Sequence, residues 1–331
     1  MAEDLLAPAA PVTDRAATVP RSHLDALAGA GLCGLSCPPK PSAPVVRQVS
    51  ETLAGACGVS YFVWAQHHGP VRQLVGGANV ALRDRFLDDL CAGRLFGGVA
   101  FSHLRRPGRP AVVATAVPGG YRVDGEAPWV TSWGLAQLFL VAARLDDQVL
   151  WFLLDTRAPE AAVRPSAPLA LAAMNASSTV RLALDDLFVP GDDVVSIGAF
   201  EEWRAQDRIT TAQPNPAALG IAATCVRLLA DIAPAAAAGM GDELQECRAR
   251  AYRLADEGRT DAAHLAALVD ARAWGLALAV RAAGALIAAS GGRALTLDHP
   301  GQRLLREAAF FSIQAQTPAL RQAVLAQFER S

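Results

Sequence analysis

Residues able to do chemistry are few in this chain and lie far apart in the sequence. Trp129-Val130-Thr131-Ser132 sets a flat aromatic two positions before a hydroxyl. Such a pair offers area to a planar heteroaromatic ring and a donor to one of its heteroatoms. The same residues also suit an ordinary sheet, with Trp129 buried and Thr131 present for its β-propensity. His67-His68 and His103 are imidazoles whose ordinary pKa fits proton transfer near neutral pH, and they equally suit helix-end histidines bonded to a carbonyl. Arg105-Arg106 is a fork pair for phosphate or carboxylate, or else a solvated strand exit. Cys33-x3-Cys37 has no second pair or histidine cluster, so no metal site is expected.

The elements that must position these groups can be read from punctuation and periodicity. Gly119-Gly120 and Asp146-Asp147 separate runs rich in Val, Leu, Phe and Trp, which predicts adjacent antiparallel strands. Val180, Leu182 and Leu184 alternate with polar residues, as in a half-buried strand. Before these strands, Val46, Val49, Leu53 and Ala56 fall on one helical face. After them the texture is Ala- and Leu-rich helix. Asn215-Pro216 opens one helix, Asp242 a second, Asp261 a long third, His299-Pro300 a fourth and Thr317-Pro318 a last. The expected divisions are a disordered leader over 1–20, a helical domain over 21–96, a β-domain over 97–200 and a helical bundle over 201–331. The fold class is therefore α+β, with a central antiparallel β-domain between helical parts.

Composition narrows the function classes. Of 331 residues, 52% are hydrophobic and 19% charged, which fits a well-buried globular chain. The formal net charge of −2, with no block of like charge, favours neither nucleic acid nor an anionic membrane. The six scattered cysteines read as reduced thiols and the chain as cytoplasmic. The longest apolar stretch, Ala273 to Ala289, is interrupted by Arg281, so no membrane span is expected.

The order of motifs resembles the acyl-CoA dehydrogenase family. Gly125-x3-Trp129-Val130-Thr131-Ser132 and the strand ending Val141-Ala142-Ala143-Arg144 look like that family's Trp-Ile-Thr-Asn/Ser segment and following strand. The Asp185-Asp186 turn with its Phe188-Val189-Pro190 exit, the Ser290-Gly291-Gly292 turn and the His299-Pro300-Gly301-Gln302-Arg303 segment resemble later parts of it. The resemblance covers about residues 23 to 328, with the first one or two helices of a full-length member lacking a counterpart.

The resemblance implies an FAD-dependent oxidoreductase acting on an acyl thioester. Trp129, Thr131, Ser132 and Ser102 would contact the flavin ring. It also implies a homo-oligomer. The family's catalytic Glu lies in an Ile-Tyr-Glu-Gly-Thr segment, which here becomes Ile313-Gln314-Ala315-Gln316-Thr317 and has no basic carboxylate. The alternative base position on the first bundle helix offers Asp207. The Arg-x2-Phe-Gly pyrophosphate segment has no recognisable counterpart, and Ala288-Ala289 stand before Ser290 where a Gln would precede the Gly pair. Three readings follow: an acyl-thioester dehydrogenase, acting alone or as a hetero-oligomer with a Glu-bearing relative; a flavin monooxygenase on the same fold, with His67 or His68 handling a proton; or a non-catalytic structural or binding subunit.

Overall fold

A computed structural model describes residues 1–158 and 160–329. Helices α1 (Ala7–Arg15), α2 (Arg21–Gly29), α3 (Ala43–Ala56), α4 (Gly58–Gly76) and α5 (Val80–Cys91) come first. Strands β1 (Gly97–Ala100), β2 (Val112–Val117), β3 (Gly120–Val130), β4 (Leu138–Leu145), β5 (Gln148–Asp155), β6 (Val163–Pro165), β7 (Val180–Pro190) and β8 (Val194–Ala199) follow. Helices α6 (Phe200–Ala212), α7 (Pro216–Ala230), α8 (Pro234–Glu257), α9 (Ala262–Ser290), α10 (Pro300–Ile313) and α11 (Pro318–Glu329) complete the chain.

The strands form one sheet in the order β6-β7-β3-β2-β4-β5-β8, with β1 added beside β4. The hairpins follow from their turn residues. Leu145 faces Gln148 across Asp146-Asp147, with Asp146 at φ +52°, and Val117 faces Gly120 across Pro118-Gly119, with Gly119 at φ +82°. The sheet is mixed rather than wholly antiparallel: β1 runs parallel to β4, and β2 meets β4 in parallel at Val113 and Arg144. The remaining pairings are antiparallel, as expected. A chain entering the sheet from α5 lays β1 alongside a strand that sits far ahead in sequence.

Strand β4 is buried on both faces, which explains its near-continuous apolar run. Leu138, Leu140 and Ala142 point into a small core with Leu74 of α4 and Phe86 of α5, while Phe139, Val141 and Ala143 point into the main core. The main core continues into the bundle, where α9 packs against α7, α8, α10 and α11. Helix α9 is long and apolar enough by composition to cross a membrane, and here it is the central helix of that bundle. Helices α3 and α7 cross backbone to backbone. A Cβ on Gly220 would stand 2.1 Å from the Glu51 carbonyl oxygen, so the crossing needs glycine.

Three expectations are overturned. Ala2–Leu6 and Ala7–Arg15 are helical where a disordered leader is expected over 1–20: Leu6 and Ala10 are fully buried, and Asp14 pairs with Arg306 of α10. Asp242 lies inside α8, whose start is Pro234. Cys37 and Cys91 are joined as a disulfide rather than free, because the loop after α2 meets the end of α5; Cys33, Cys57, Cys225 and Cys247 are buried thiols.

Candidate active site

A cavity of about 640 Å³ opens where the sheet domain meets the bundle. Its walls come from four segments: the turn Ser102–Arg105 with the loop after it, the end of β4 at Arg144, helix α6, and the link between α10 and α11. The Ser102–Arg105 turn ties this cavity to the β3 end. Ser102 Oγ donates to the Pro128 carbonyl at 3.1 Å, while His103 and Arg105 line the cavity.

Beyond Pro128 the backbone is unusual. Trp129 at φ +59° and Ser132 at φ +70° occupy the left-handed region, which a bulky residue such as Trp rarely adopts. The result is that Trp129 stands 51% exposed although the flanking Pro128 and Val130 are buried. Thr131 is turned inward, its hydroxyl 3.1 Å from that of Thr179, which in turn meets Ser177 at 2.8 Å. The Ser132 hydroxyl is buried without a partner. Trp129, Thr131, Ser132 and Ser102 thus gather at one end of β3, Trp129 presenting a face outward and Thr131 bonded within the protein. The expectation of a Trp buried in an ordinary sheet does not describe Trp129.

Charge in the cavity is one-sided. Arg105, Arg106, Arg144, Arg204 and Arg208 line it, against the single carboxylate of Asp207. Both oxygens of Asp207 are held by the Arg105 fork, Nε to Oδ2 at 2.8 Å and the terminal nitrogen to Oδ1 at 2.7 Å. Arg144 is drawn onto the Phe200 ring at 3.8 Å and Arg204 pairs with Glu201. Gln316 and Thr317 border the same cavity, immediately after Ala315 at φ +52°. The structure therefore brings together the two candidate base positions, Asp207 on α6 and the turn after α10, neither of which offers a free carboxylate.

The three candidate histidines are all buried. His67 Nδ1 accepts the Gly97 N–H at 3.0 Å and Nε2 donates to the Cys33 carbonyl at 3.3 Å, so both ring nitrogens serve the backbone. Burial pushes its pKa down to about 4. His68 meets the Ser36 hydroxyl at 3.2 Å and packs edge-on against Trp64; burial, with the neighbouring His67, pushes it down to about 3. Neither borders the cavity. His103 does; its Nε2 donates to the Ala142 carbonyl at 3.0 Å, leaving Nδ1 as a buried acceptor without a partner. Burial brings its pKa down to about 4. Of the adjacent pair, His67 has both ring nitrogens engaged, whereas His68 keeps a buried Nε2 without a partner.

Sequence reasoning missed Arg272, whose signal was present: an arginine among the apolar residues of α9, the helix that also carries Arg281. Arg272 is 6% exposed and donates to the carbonyls of Thr211, Gln213 and Gln314.

This arrangement of helices, central sheet and bundle defines an acyl-CoA dehydrogenase fold. Butyryl-CoA dehydrogenase from Megasphaera elsdenii superposes with a TM-score of 0.83 at 18% identity, covering 99% of this chain and 94% of that one. A glutaryl-CoA dehydrogenase from Mycobacterium smegmatis in complex with FADH2 superposes with a TM-score of 0.83 at 16% identity, covering 100% and 92%. In sequence, the mitochondrial isovaleryl-CoA dehydrogenase of Oryza sativa subsp. japonica is 25% identical over 311 residues, 85% of this chain and 74% of its own. No family model matches the chain. In sequence and in fold the chain is thus similar to the acyl-CoA dehydrogenases.

Proposed function

We propose that this chain is an FAD-dependent oxidoreductase of the acyl-CoA dehydrogenase type, acting on an acyl thioester of an anionic carrier. The cavity carries the proposal: five arginines and one fork-bound carboxylate face a space bordered by the turn that holds the catalytic Glu in the family. Arg106 and Arg208 have no acidic partner among the described residues, which suits a phosphate-bearing ligand.

The residues at the ring end fit a flavin. Trp129 offers an exposed flat face and Ser132 a buried hydroxyl lacking a partner, so these two would hold the ring, with Ser102 fixing the Pro128 backbone behind it. When bound, FAD supplies the hydride acceptor. The protein's part is to hold the thioester in the cationic cavity and to receive the α-proton. Asp207 is the carboxylate placed for that, and it acts only when the Arg105 fork opens. A second reading rests on the same observation. With Ala315 at the turn and Asp207 neutralised, a Glu-bearing partner subunit would perform proton abstraction.

The test is a visible absorption spectrum after loading with FAD and removing the unbound fraction, followed by anaerobic addition of butyryl-CoA. Retained flavin in the wild type, lost in Trp129→Ala, and bleaching by the thioester support a stand-alone enzyme. Retained flavin that bleaches only with a Glu-bearing relative present supports the partner reading. A chain that never retains flavin, alone or co-expressed, refutes both.

A further inference from the structure

Arg272 is a buried cation without an acid. Its side chain sits in the middle of α9 between Ala271 and Ala273, both buried, and no carboxylate pairs with it among the described residues. Burying a charge unpaired is costly, so the position calls for compensation. The compensation comes from two helix ends. One terminal nitrogen donates to Thr211 at 2.9 Å and to Gln213 at 3.3 Å, at the C-terminus of α6; the other donates to Gln314 at 3.3 Å, the residue that closes α10. Final-turn carbonyls have no partner within their own helix and carry the negative end of its dipole, so a cation is favoured there.

Each of these ends carries cavity residues. On α6, Asp207 lies one turn before Thr211, whose hydroxyl donates back to the Asp207 carbonyl at 2.7 Å. On the other side Gln314 is followed by Ala315 in the left-handed region and then by Gln316 in the cavity wall. One planar guanidinium thus spans the two walls, and its Nε is left without a partner. The other charged or titratable groups that influence it are Arg105, which repels it, and Tyr61 of α4.

We infer that Arg272 is a positioning residue for the cavity, a strut that fixes the Asp207 helix and the Gln314–Thr317 turn relative to each other. This deepens the proposed function, and only the ligand arm of its test rests on that reading. A lysine could bond one of the two ends but not span both, and a methionine would leave three carbonyls unpartnered.

The full-length chain and its Arg272→Met, Arg272→Lys and Leu276→Ala variants are compared by hydrogen exchange with mass spectrometry and by butyryl-CoA titration. Leu276, one turn further along α9 and fully buried, reports ordinary loss of core packing. In Arg272→Met, amides of residues 207–214 and 314–319 should exchange at least about tenfold faster while β4 and β5 keep their wild-type rates. Arg272→Lys should fall between, and butyryl-CoA affinity should follow the same order. Wild-type exchange at both helix ends in Arg272→Met, or in Arg272→Lys should the methionine variant not fold, overturns the inference. Equal loosening of the two ends in Leu276→Ala overturns it too. Failure of the wild type to bind butyryl-CoA counts against the proposed function and leaves the exchange result to decide the role of Arg272.

Discussion

Lowering the pH from about 7.5 to about 5 should expose the role of His67, because linkage converts a depressed pKa into lost stability. Protonating Nδ1 would set a donor against the Gly97 N–H and strand a charge in a buried site, and burial is the main reason its pKa falls from 6.5 to about 4. The unfolded chain binds this proton below about pH 6.5 and the folded chain does not until about pH 4. The contribution is therefore intact above 6.5 and drains away as pH falls toward 4. At about pH 5 the linkage relation gives a loss of roughly 2 kcal/mol for His67 alone. His68 and His103, held down to about 3 and about 4, add similar amounts. The three together remove roughly 6 kcal/mol, comparable to the whole stability of many domains. Carboxylates titrate in the same window, so the measurement is a difference. Urea unfolding is followed at both pH values for the wild type and for His67→Asn, whose side-chain oxygen can still accept the Gly97 N–H. The variant should lose about 2 kcal/mol less than the wild type on acidification. Equal losses in the two proteins would refute the assignment of His67 as a buried neutral imidazole.

Removing one partner of the buried Arg303–Glu307 pair by Arg303→Met should cost about 3 to 5 kcal/mol in urea unfolding, and Arg303→Met with Glu307→Leu should recover most of it. A double variant no better than the single one would mean that Glu307 acts through its bond to the Gly58 N–H, at 3.2 Å, and not through the arginine. Gly220→Ala should destabilise by about 1 to 3 kcal/mol or more, since its methyl meets the Glu51 backbone; an unchanged urea midpoint would show that α3 and α7 can part freely. Ala315→Glu adds a carboxylate at the cavity rim without changing the backbone class there, and on flavin-loaded protein it should speed bleaching by butyryl-CoA by about a hundredfold or more. Unchanged bleaching with the thioester bound would remove that turn as the base position.

What could be read from the sequence was what local chemistry decides. Asn215 caps α7, accepting from Ala217 and Ala218, and Asp261 caps α9 through His264, as their side chains and following residues imply. The Asp146-Asp147 turn and the two-faced burial of β4 also follow from residues close in sequence. What failed depended on partners far away. The first twenty residues look like a leader because Ala and Pro are common there, yet Ala favours helix and Asp14 finds Arg306 across 292 positions. Helix α8 starts at Pro234 rather than Asp242, because proline is tolerated in a helix's first turn. His67 and His68 invite a catalytic reading as a pair, and only tertiary structure reveals that backbone groups take both nitrogens of His67 while His68 meets the Ser36 hydroxyl.

The site divides in the same way, and the division bears on mechanism. Trp129 and Ser132 could be singled out from a short motif, whereas the pairing of Arg105 with Asp207 joins residues 102 positions apart. That pairing governs what the cavity can do. The charge-assisted fork takes one bond on each Asp207 oxygen and fixes the carboxylate in place, so an anion that drew Arg105 away would leave both oxygens open to the cavity. Arg204 and Arg208, one turn before and one residue after Asp207, would still balance its charge once the fork opened. An anionic ligand drawn in by the surplus of arginine is the natural competitor for Arg105. In the proposed reaction, filling the cavity and freeing the Asp207 oxygens from the Arg105 fork would then be a single event, with Asp207 standing in for the glutamate that Ala315 replaces.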